Sequence, residues 1–294
     1  MVDTLATNVA ETTQEMIAAT LALMPQMAPM LGLVTKITIG KGHDSVEIPR
    51  VNSTSTVQTP TEGDELVTSS QFDLTSTTIN PTLRALMVRL SSRAEHFSRD
   101  NLVSLVSAEL SQTQAQDIDT DLTAEFANFH TDNDTGTTNT DLTLAVLRTS
   151  RRLLRAVTRA NGGPPQGVLR AVLAPIPEEN VFTNLGVQGV VSSTAPWIPD
   201  GWSQEMIATY RIPQNQLLGV EMFVDGYMTQ DGSSDFLCGM FSKDALHFAI
   251  SKDWDMKTFE VPNWIGVVIR SVADYNSGVG GYSHHGSQIT ADGA

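Results

Sequence analysis

Residues 98–129 read SRDNLVSLVSAELSQTQAQDIDTDLTAEFANF, and the rest of the chain is organised around them. Arg99–His130 holds no proline and no glycine, and its only β-branched aliphatic residues are Val103, Val106 and Ile118, so the stretch predicts one long helix. Ser98 suits the N-cap, and Asp100 places a carboxylate in the first turn, where the helix dipole favours it. At 1.5 Å per residue, such a helix would reach roughly 45 Å, longer than a small domain is wide. Its apolar residues change sides midway. Leu102, Leu105, Val106 and Leu110 share one face, whereas Ile118, Leu122, Phe126 and Phe129 share another about half a turn away. A helix lying on one core keeps a single stripe, so this one reads as a spine with material packed on opposite sides of its two halves. The competing reading is two shorter helices broken near Ser111–Gln116.

The chain has 294 residues, enough for two ordinary domains or one elaborated one. With 33 acidic and 18 basic residues its formal charge is −15, which argues against a general nucleic-acid binder. Only 17% of residues are charged, and Thr, Ser, Asn and Gln fill much of the remainder, a mixture nearer to extended, interface-rich proteins than to compact enzymes. Cys238 is the single cysteine, so there is no intrachain disulfide and no Cys-based zinc site. Met16–Thr35 carries no charge, but Pro25, Gln26 and Pro29 interrupt it, and Asp3, Glu11 and Glu15 stand where a signal peptide would be basic. A membrane or secretory role is not expected.

In chain order, Thr4–Met24 forms an amphipathic helix with Leu5, Val9, Met16, Ile17 and Met24 on one face, ended by Pro25 and Pro29. Such an arm would dock on the body or on a neighbouring subunit. Leu33–Ile39 and Ser45–Val51 read as strands joined by a hairpin turn through Gly40–Asp44. Asn52–Ser70 is rich in Thr and Ser, carries the acidic residues Glu62, Asp64 and Glu65, and is followed by strand signals at Gln71–Ile79 and Leu83–Leu90. A projecting hairpin arm fits this pattern better than a disordered surface loop. Beyond the spine, Thr131–Thr140 reads as a polar linker, and Asp141–Ala160 as a helix stopped by Gly162-Gly163-Pro164-Pro165. That helix separates Leu142, Val146, Leu147, Leu153, Leu154 and Val157 from Arg148, Arg151, Arg152, Arg155 and Arg159. A short buried strand at Val168–Ala174 and a brief helix from Pro177 follow, then a loop holding Trp197 and Trp202. Further strands are expected at Leu217–Val224, Leu237–Met240 and Ile265–Ser271, with a short element at Ala245–Ile250 and a tail without periodicity from Ser283.

Searches for chemistry return little. There is no phosphate-binding loop, dinucleotide fingerprint, nucleophile elbow or paired-histidine zinc motif. Gly278-Val279-Gly280-Gly281 resembles a glycine fingerprint in composition only. His284 and His285 adjoin but form no closed ligand set, so no catalytic residue, cofactor or metal site is expected. Asp117, Asp119 and Asp121 alternate on the spine and read as a solvated face or as intersubunit partners for arginines. The arginine face of the second helix suits a membrane, nucleic acid or acidic residues of the same protein. With so many carboxylates per copy, internal or intersubunit ion pairing by Arg148, Arg152, Arg155 and Arg159 is favoured.

Taken in order, these parts carry a resemblance. An amphipathic arm precedes strands ending in DSVEIPR, a polar arm holding TEGDEL, the helix LVSAELSQTQAQDIDTDLTAEF, and closing segments MFSKDALHFAISKD and GVVIRSVADYNSGVGGYSHHG. The sequence resembles the major capsid proteins of tailed bacteriophages of the Hong Kong 97 type over nearly its whole length. The resemblance implies an α+β, Hong Kong 97-like capsid fold with N-terminal arm, extended β-hairpin E-loop, long spine helix with peripheral sheet, and mixed α/β axial domain. The implied divisions are 1–42 for the N-terminal arm, 43–92 for the E-loop and flanking strands, 93–135 with 244–282 for the peripheral domain, 136–243 for the axial domain, and 283–294 for a C-terminal tail. It also implies hexamers and pentamers in an icosahedral virion shell assembled in the host cytoplasm, enclosing double-stranded DNA without sequence-specific binding. Portal and separate scaffolding or decoration proteins are the implied partners. E-loop contacts between subunits are expected at Thr59, Thr61, Glu62, Asp64 and Glu65. Some relatives link an E-loop lysine to a neighbour's asparagine, but no lysine stands between Lys41 and Lys243 here, so a non-covalent contact is expected. No scaffolding-like stretch is read ahead of the arm, and assembly is expected to use a separate scaffold or none. The rival readings are an encapsulin-like nanocompartment shell of the same fold and, further off, a soluble hydrolase whose triad meets only in space.

Overall fold

The computed structural model describes residues 18–20, 28–51, 57, 59, 62, 73–91, 102–181, 216–228, 230–231, 233–260 and 266–293. Strands β1 (Thr35–Thr38), β4 (Thr82–Ser91), β10 (Leu246–Glu260) and β11 (Gly266–Val279) form a four-stranded sheet ordered β1-β10-β11-β4. A six-stranded sheet is ordered β5-β12-β9-β6-β8-β7, from β5 (Thr135–Gly136), β6 (Leu169–Leu173), β7 (Gln216–Leu217), β8 (Val220–Val224), β9 (Phe236–Ser242) and β12 (Gly286–Ala291). Strands β2 (Val46–Val51) and β3 (Leu74–Ile79) pair only with each other. The spine is helix α1 (Leu102–Ala124), extended by a 3-10 turn over Glu125–Asn128, and the arginine helix is α2 (Leu144–Arg155).

The spine runs without a break through Ser111–Gln116, and its two halves meet different cores. Val106 packs against the small cluster of Leu110, Met256 and Ile269, together with Leu86 and Val88. Ile118, Leu122, Phe126 and Phe129 belong instead to the main core, with Leu169, Met240, Phe241 and Ile289 of the six-stranded sheet. The expected change of face is therefore real for the described side chains. Leu102 and Leu105 have side chains outside them, as do Ser98 and the first turn. Between the two halves, the buried Ser111 donates to the carbonyls of Ser107 (2.6 Å) and Thr20 (3.1 Å), which seats residues 18–20 of the N-terminal segment against the helix. The remainder of the expected arm helix lies outside the described residues.

Two glycines let the spine's end lie close to the sheet. A Cβ at Gly239 of β9 would come within 2.8 Å of the Phe126 ring, and one at Gly286 of β12 within 2.3 Å of Phe129. These rings stack at 5.7 Å between centroids, so any side chain at either glycine would push the helix off its core.

Four readings of the sequence need correction. The Gly40–Asp44 turn does not make a hairpin: β1 runs parallel to β10, from Thr35 beside His247 to Thr38 beside Ile250, while β2 pairs antiparallel with β3. Gly42, at φ +92°, turns the chain from one sheet to another, and Ile39 is buried with Ile79 and Ala249. A turn signal says that the chain turns, and burial chooses the strand's partner. The supposed tail from Ser283 is a 3-10 turn followed by β12, an inner strand between β5 and β9. Gln288 and Thr290 are half-buried and Ile289 and Ala291 buried, an alternation of only four residues that is too short to mark a strand in the sequence. The polar linker after the spine likewise contains β5, and helix α2 is shorter than expected, with Thr143 at its N-cap and Ala156 at its C-cap.

Candidate assembly surfaces

The acidic segment leaves from the paired strands β2 and β3. Six residue pairs join β2 to β3, from Val46 opposite Ile79 to Val51 opposite Leu74, where the polar segment begins. The lower end is anchored by Val46 and Ile48 against the buried Ile39, Ile79 and Ala249, whereas Leu74 at the upper end is 59% exposed. Thr59 and Glu62 are exposed, and Thr61, Asp64 and Glu65 lie outside the described residues.

The four-stranded sheet turns one face to the spine; on the other, Ala249 is covered by Ile39 and Ile79 and Val268 is buried, while β4 exposes side chains. Arg84, Leu86 and Val88 of β4 turn toward the spine. Leu83 and Met87 alternate with them and are 71% and 54% exposed. Beside them Arg270 lies over the Phe259 ring, 4.8 Å from its centroid, and Phe259 is itself exposed. An edge strand with exposed aliphatic side chains and flanking cations is a surface built to meet another surface.

Helix α2 divides as its sequence predicts, with Leu144, Leu147 and Leu154 buried and Arg148, Arg151, Arg152 and Arg155 exposed. The internal ion pairing does not form for most of them. Among the described residues Arg148, Arg151 and Arg152 face no carboxylate, and Arg155 donates to the carbonyls of Pro165 and Gly167, both at 3.1 Å. Arg159 is exposed in the 3-10 turn after the helix. A peptide loop folded over the C-terminal turn offers Arg155 carbonyl oxygens nearer than any carboxylate.

The spine aspartates are not a solvated face. Asp117 and Asp121, one helical turn apart, both pair with Arg84, and Asp117 accepts from the Tyr275 hydroxyl. Burial, reinforced by Asp117, pushes the Tyr275 phenol up, so it remains a donor at neutral pH. Asp119 points the other way and is fully buried, with Oδ1 accepting from Met30 N at 3.3 Å. Its carboxyl is pushed up to about 8, first by burial and then by Asp225, so it holds a proton at neutral pH. Asp225, at the end of β8, is also buried and shifted upward by burial. Sequence reasoning missed this pair because Asp225 comes from a distant strand, and an i, i+2 spacing that sends alternate aspartates to opposite sides was the one available signal.

Nothing in the described residues resembles a nucleophilic centre. Cys238 is buried in β9, where burial pushes its thiol up to about 12. The adjoining His284 and His285 diverge: His284 stacks on His130 of the spine's end, while His285 stacks on Tyr282 and contacts the Gly163 carbonyl at 3.1 Å. Gly278–Gly281 ends β11 without leading into a helix.

No protein-family profile matches the chain, and no curated protein matches it in sequence. Solved structures do. The capsid of cyanophage P-SCSP1u superposes with a TM-score of 0.62 at 14% identity, covering 89% of this chain and 87% of that one. The mature capsid of bacteriophage PhiM1 gives 0.62 at 12% identity, covering 88% and 85%. An encapsulin complex from Synechococcus elongatus gives 0.59 at 8% identity, covering 90% and 86%. With its arm hairpin, its spine gripped from two sides and its two sheets, this chain has the Hong Kong 97-like fold of tailed-phage capsid proteins.

Proposed function

We propose that the chain is the major capsid protein of a tailed phage, a structural protein and not an enzyme, whose copies close as hexamers and pentamers into an icosahedral shell around double-stranded DNA. One observation carries the reading: a polar, acidic segment leaves from the exposed end of the paired strands β2 and β3, with its described residues Val57, Thr59 and Glu62 exposed, on a body whose fold is shared with capsid proteins along most of its length. The exposed Leu83 and Met87 of β4, and the exposed Arg148 and Arg152, which have no carboxylate partner among the described residues, support contacts between copies. On this reading the E-loop residues Thr59, Thr61, Glu62, Asp64 and Glu65 meet a neighbouring subunit. Arg148, Arg152, Arg155 and Arg159 take carboxylate partners from other copies. The four-stranded sheet and spine are the peripheral domain, the six-stranded sheet with α2 the axial domain, and β12 joins the axial unit instead of trailing as a tail. A net charge of −15 keeps the enclosed genome from sticking to the wall. Assembly takes place in the host cytoplasm, with portal and separate scaffolding or decoration proteins as partners.

The test is to express the full chain, size it, and image it. Closed shells are expected, and deletion of Thr54–Ser70 should leave folded, soluble subunits that do not close. Persistent monomers from the full chain would overturn the shell reading, and normal shells from the deletion would overturn the placement of the contact. The likeness to an encapsulin supports a second reading, a protein-filled nanocompartment. Particles recovered from their natural source with DNA inside favour the virion, and particles with protein cargo favour the compartment.

A further inference from the structure

Two segments meet where the spine gives way to the last strand. His130 N-caps the 3-10 turn Thr131–Asn133, its Nδ1 accepting from Asp132 N at 3.2 Å, and Ser283–His285 forms the turn leading into β12. Four hydrogen bonds brace the segments together. His130 N donates to the Ser283 carbonyl at 3.2 Å, and Asn133 Nδ2 donates to the carbonyls of His284 at 2.7 Å and Gly286 at 3.2 Å. Ser287 Oγ donates to the Asn133 carbonyl at 2.6 Å. On this brace the His130 and His284 rings stack, with centroids 3.7 Å apart and planes 21° from parallel. One donor atom from each of His130, Asp132 and His284 lies within 4.8 Å of the other two. His284 is only 8% exposed, and its Nδ1 is buried without a hydrogen-bond partner.

We infer that His130, Asp132 and His284 form a binding site for a divalent transition-metal cation of the Zn²⁺ type, one that pins the end of the spine to β12. Two imidazoles and one carboxylate suit zinc, cobalt, nickel or copper, and suit calcium or magnesium poorly, since those ions take all-oxygen shells. Metal–ligand bonds of about 2.0–2.2 Å in a tetrahedral shell place the donor atoms roughly 3.3–3.5 Å apart. Closing from 4.8 Å is therefore a small movement shared among three side chains. Stacked rings aim their lone pairs side by side, so one ring must turn to make them converge. His130 and Asp132 have the freedom to do so, with side chains 36% and 74% exposed, while the buried His284 is the fixed ligand. Turning His130 exchanges its contact with Asp132 N for a bond to the metal.

The surrounding charges permit this. Asp132 and Asp134 stand on the spine side, near His130, and Arg50 and His285 face His284 from the other. The site stands whether or not the chain builds a shell.

The test uses the full-length chain, stripped with a chelator and titrated with Zn²⁺ by calorimetry near neutral pH, with Co²⁺ as a spectroscopic probe. One ion per chain is expected, with the visible absorption of tetrahedral cobalt and a thermal midpoint raised by Zn²⁺. His130→Ala and Asp132→Asn, both at accessible positions, should each weaken binding roughly tenfold or more and abolish the thermal shift. His43→Ala, on an exposed turn elsewhere, should change nothing. Absence of saturable binding, or binding that survives both site variants, would overturn the proposal.

Discussion

The two halves of the spine rest on cores of different kinds. Toward Phe126 the helix is embedded in a continuous core that takes in the six-stranded sheet, and three phenylalanines, Phe126, Phe129 and Phe241, touch one another there. Toward Val106 it rests on three buried residues, Leu110, Met256 and Ile269, with partly buried neighbours. One half is closed over by the described residues, and beside the other Leu83, Met87 and Phe259 stay exposed among them. That contrast suits the proposed shell subunit, which must fold alone and then join copies of itself.

The contrast can be broken most directly by truncating each half. Phe126→Ala should cost the isolated subunit about 3–5 kcal/mol, because a fully buried ring leaves a cavity between helix and sheet. Leu110→Ala should cost less, about 2 kcal/mol, since its small cluster borders half-exposed side chains that can close in. Urea unfolding of both variants checks the order, and a larger loss at Leu110 would mean that the two cores are not unequal.

Asp119 sharpens the comparison from inside the closed half. Its carboxyl is raised in the folded chain to about 8, so the folded state holds a proton that the unfolded state has released. Stability should therefore fall as pH rises from about 4 toward 8, and flatten above that. Asp119→Asn keeps an oxygen for Met30 N and removes the charge. It should stabilise the subunit on the order of a few kcal/mol at pH above 8 and do little near pH 4, where the carboxyl is neutral in both states. Thermal midpoints across that range would show it, and an equal shift at both ends would assign the effect to packing instead of charge.

The smallest effect on folding belongs to the exposed side chains beside the other half. Leu83→Ser and Met87→Ser should shift subunit stability by no more than about 0.5 kcal/mol, as surface substitutions do. Particle yield should nonetheless drop, measured by sedimentation of the same preparations. Undiminished particles would show that this face is not an interface.

Much of this could be read from the chain itself. An uninterrupted run of good helix formers made the spine legible, and the switch from Leu110 to Ile118 announced two cores, because helical phase is a property of residue spacing alone. The strands β2 and β3 that flank the polar segment between Val51 and Leu74 were legible for a similar local reason, their own alternation. What escaped was every pairing between distant residues. Gly40–Asp44 signalled a turn, but only the assembled sheet put β1 beside β10. Gly286–Ala291 alternates only over Gln288, Ile289, Thr290 and Ala291, too short a run to stand out as a strand before β5 and β9 flank it. Asp119 looked like its neighbours Asp117 and Asp121 until Met30 and Asp225 enclosed it, and His284 looked like the twin of His285 until His130 came to stack upon it. Local order follows from the energetics of neighbouring residues, which a sequence displays. Burial, charge and ligand geometry at these sites depend on which remote segments share a core, and that is settled only when the whole chain closes.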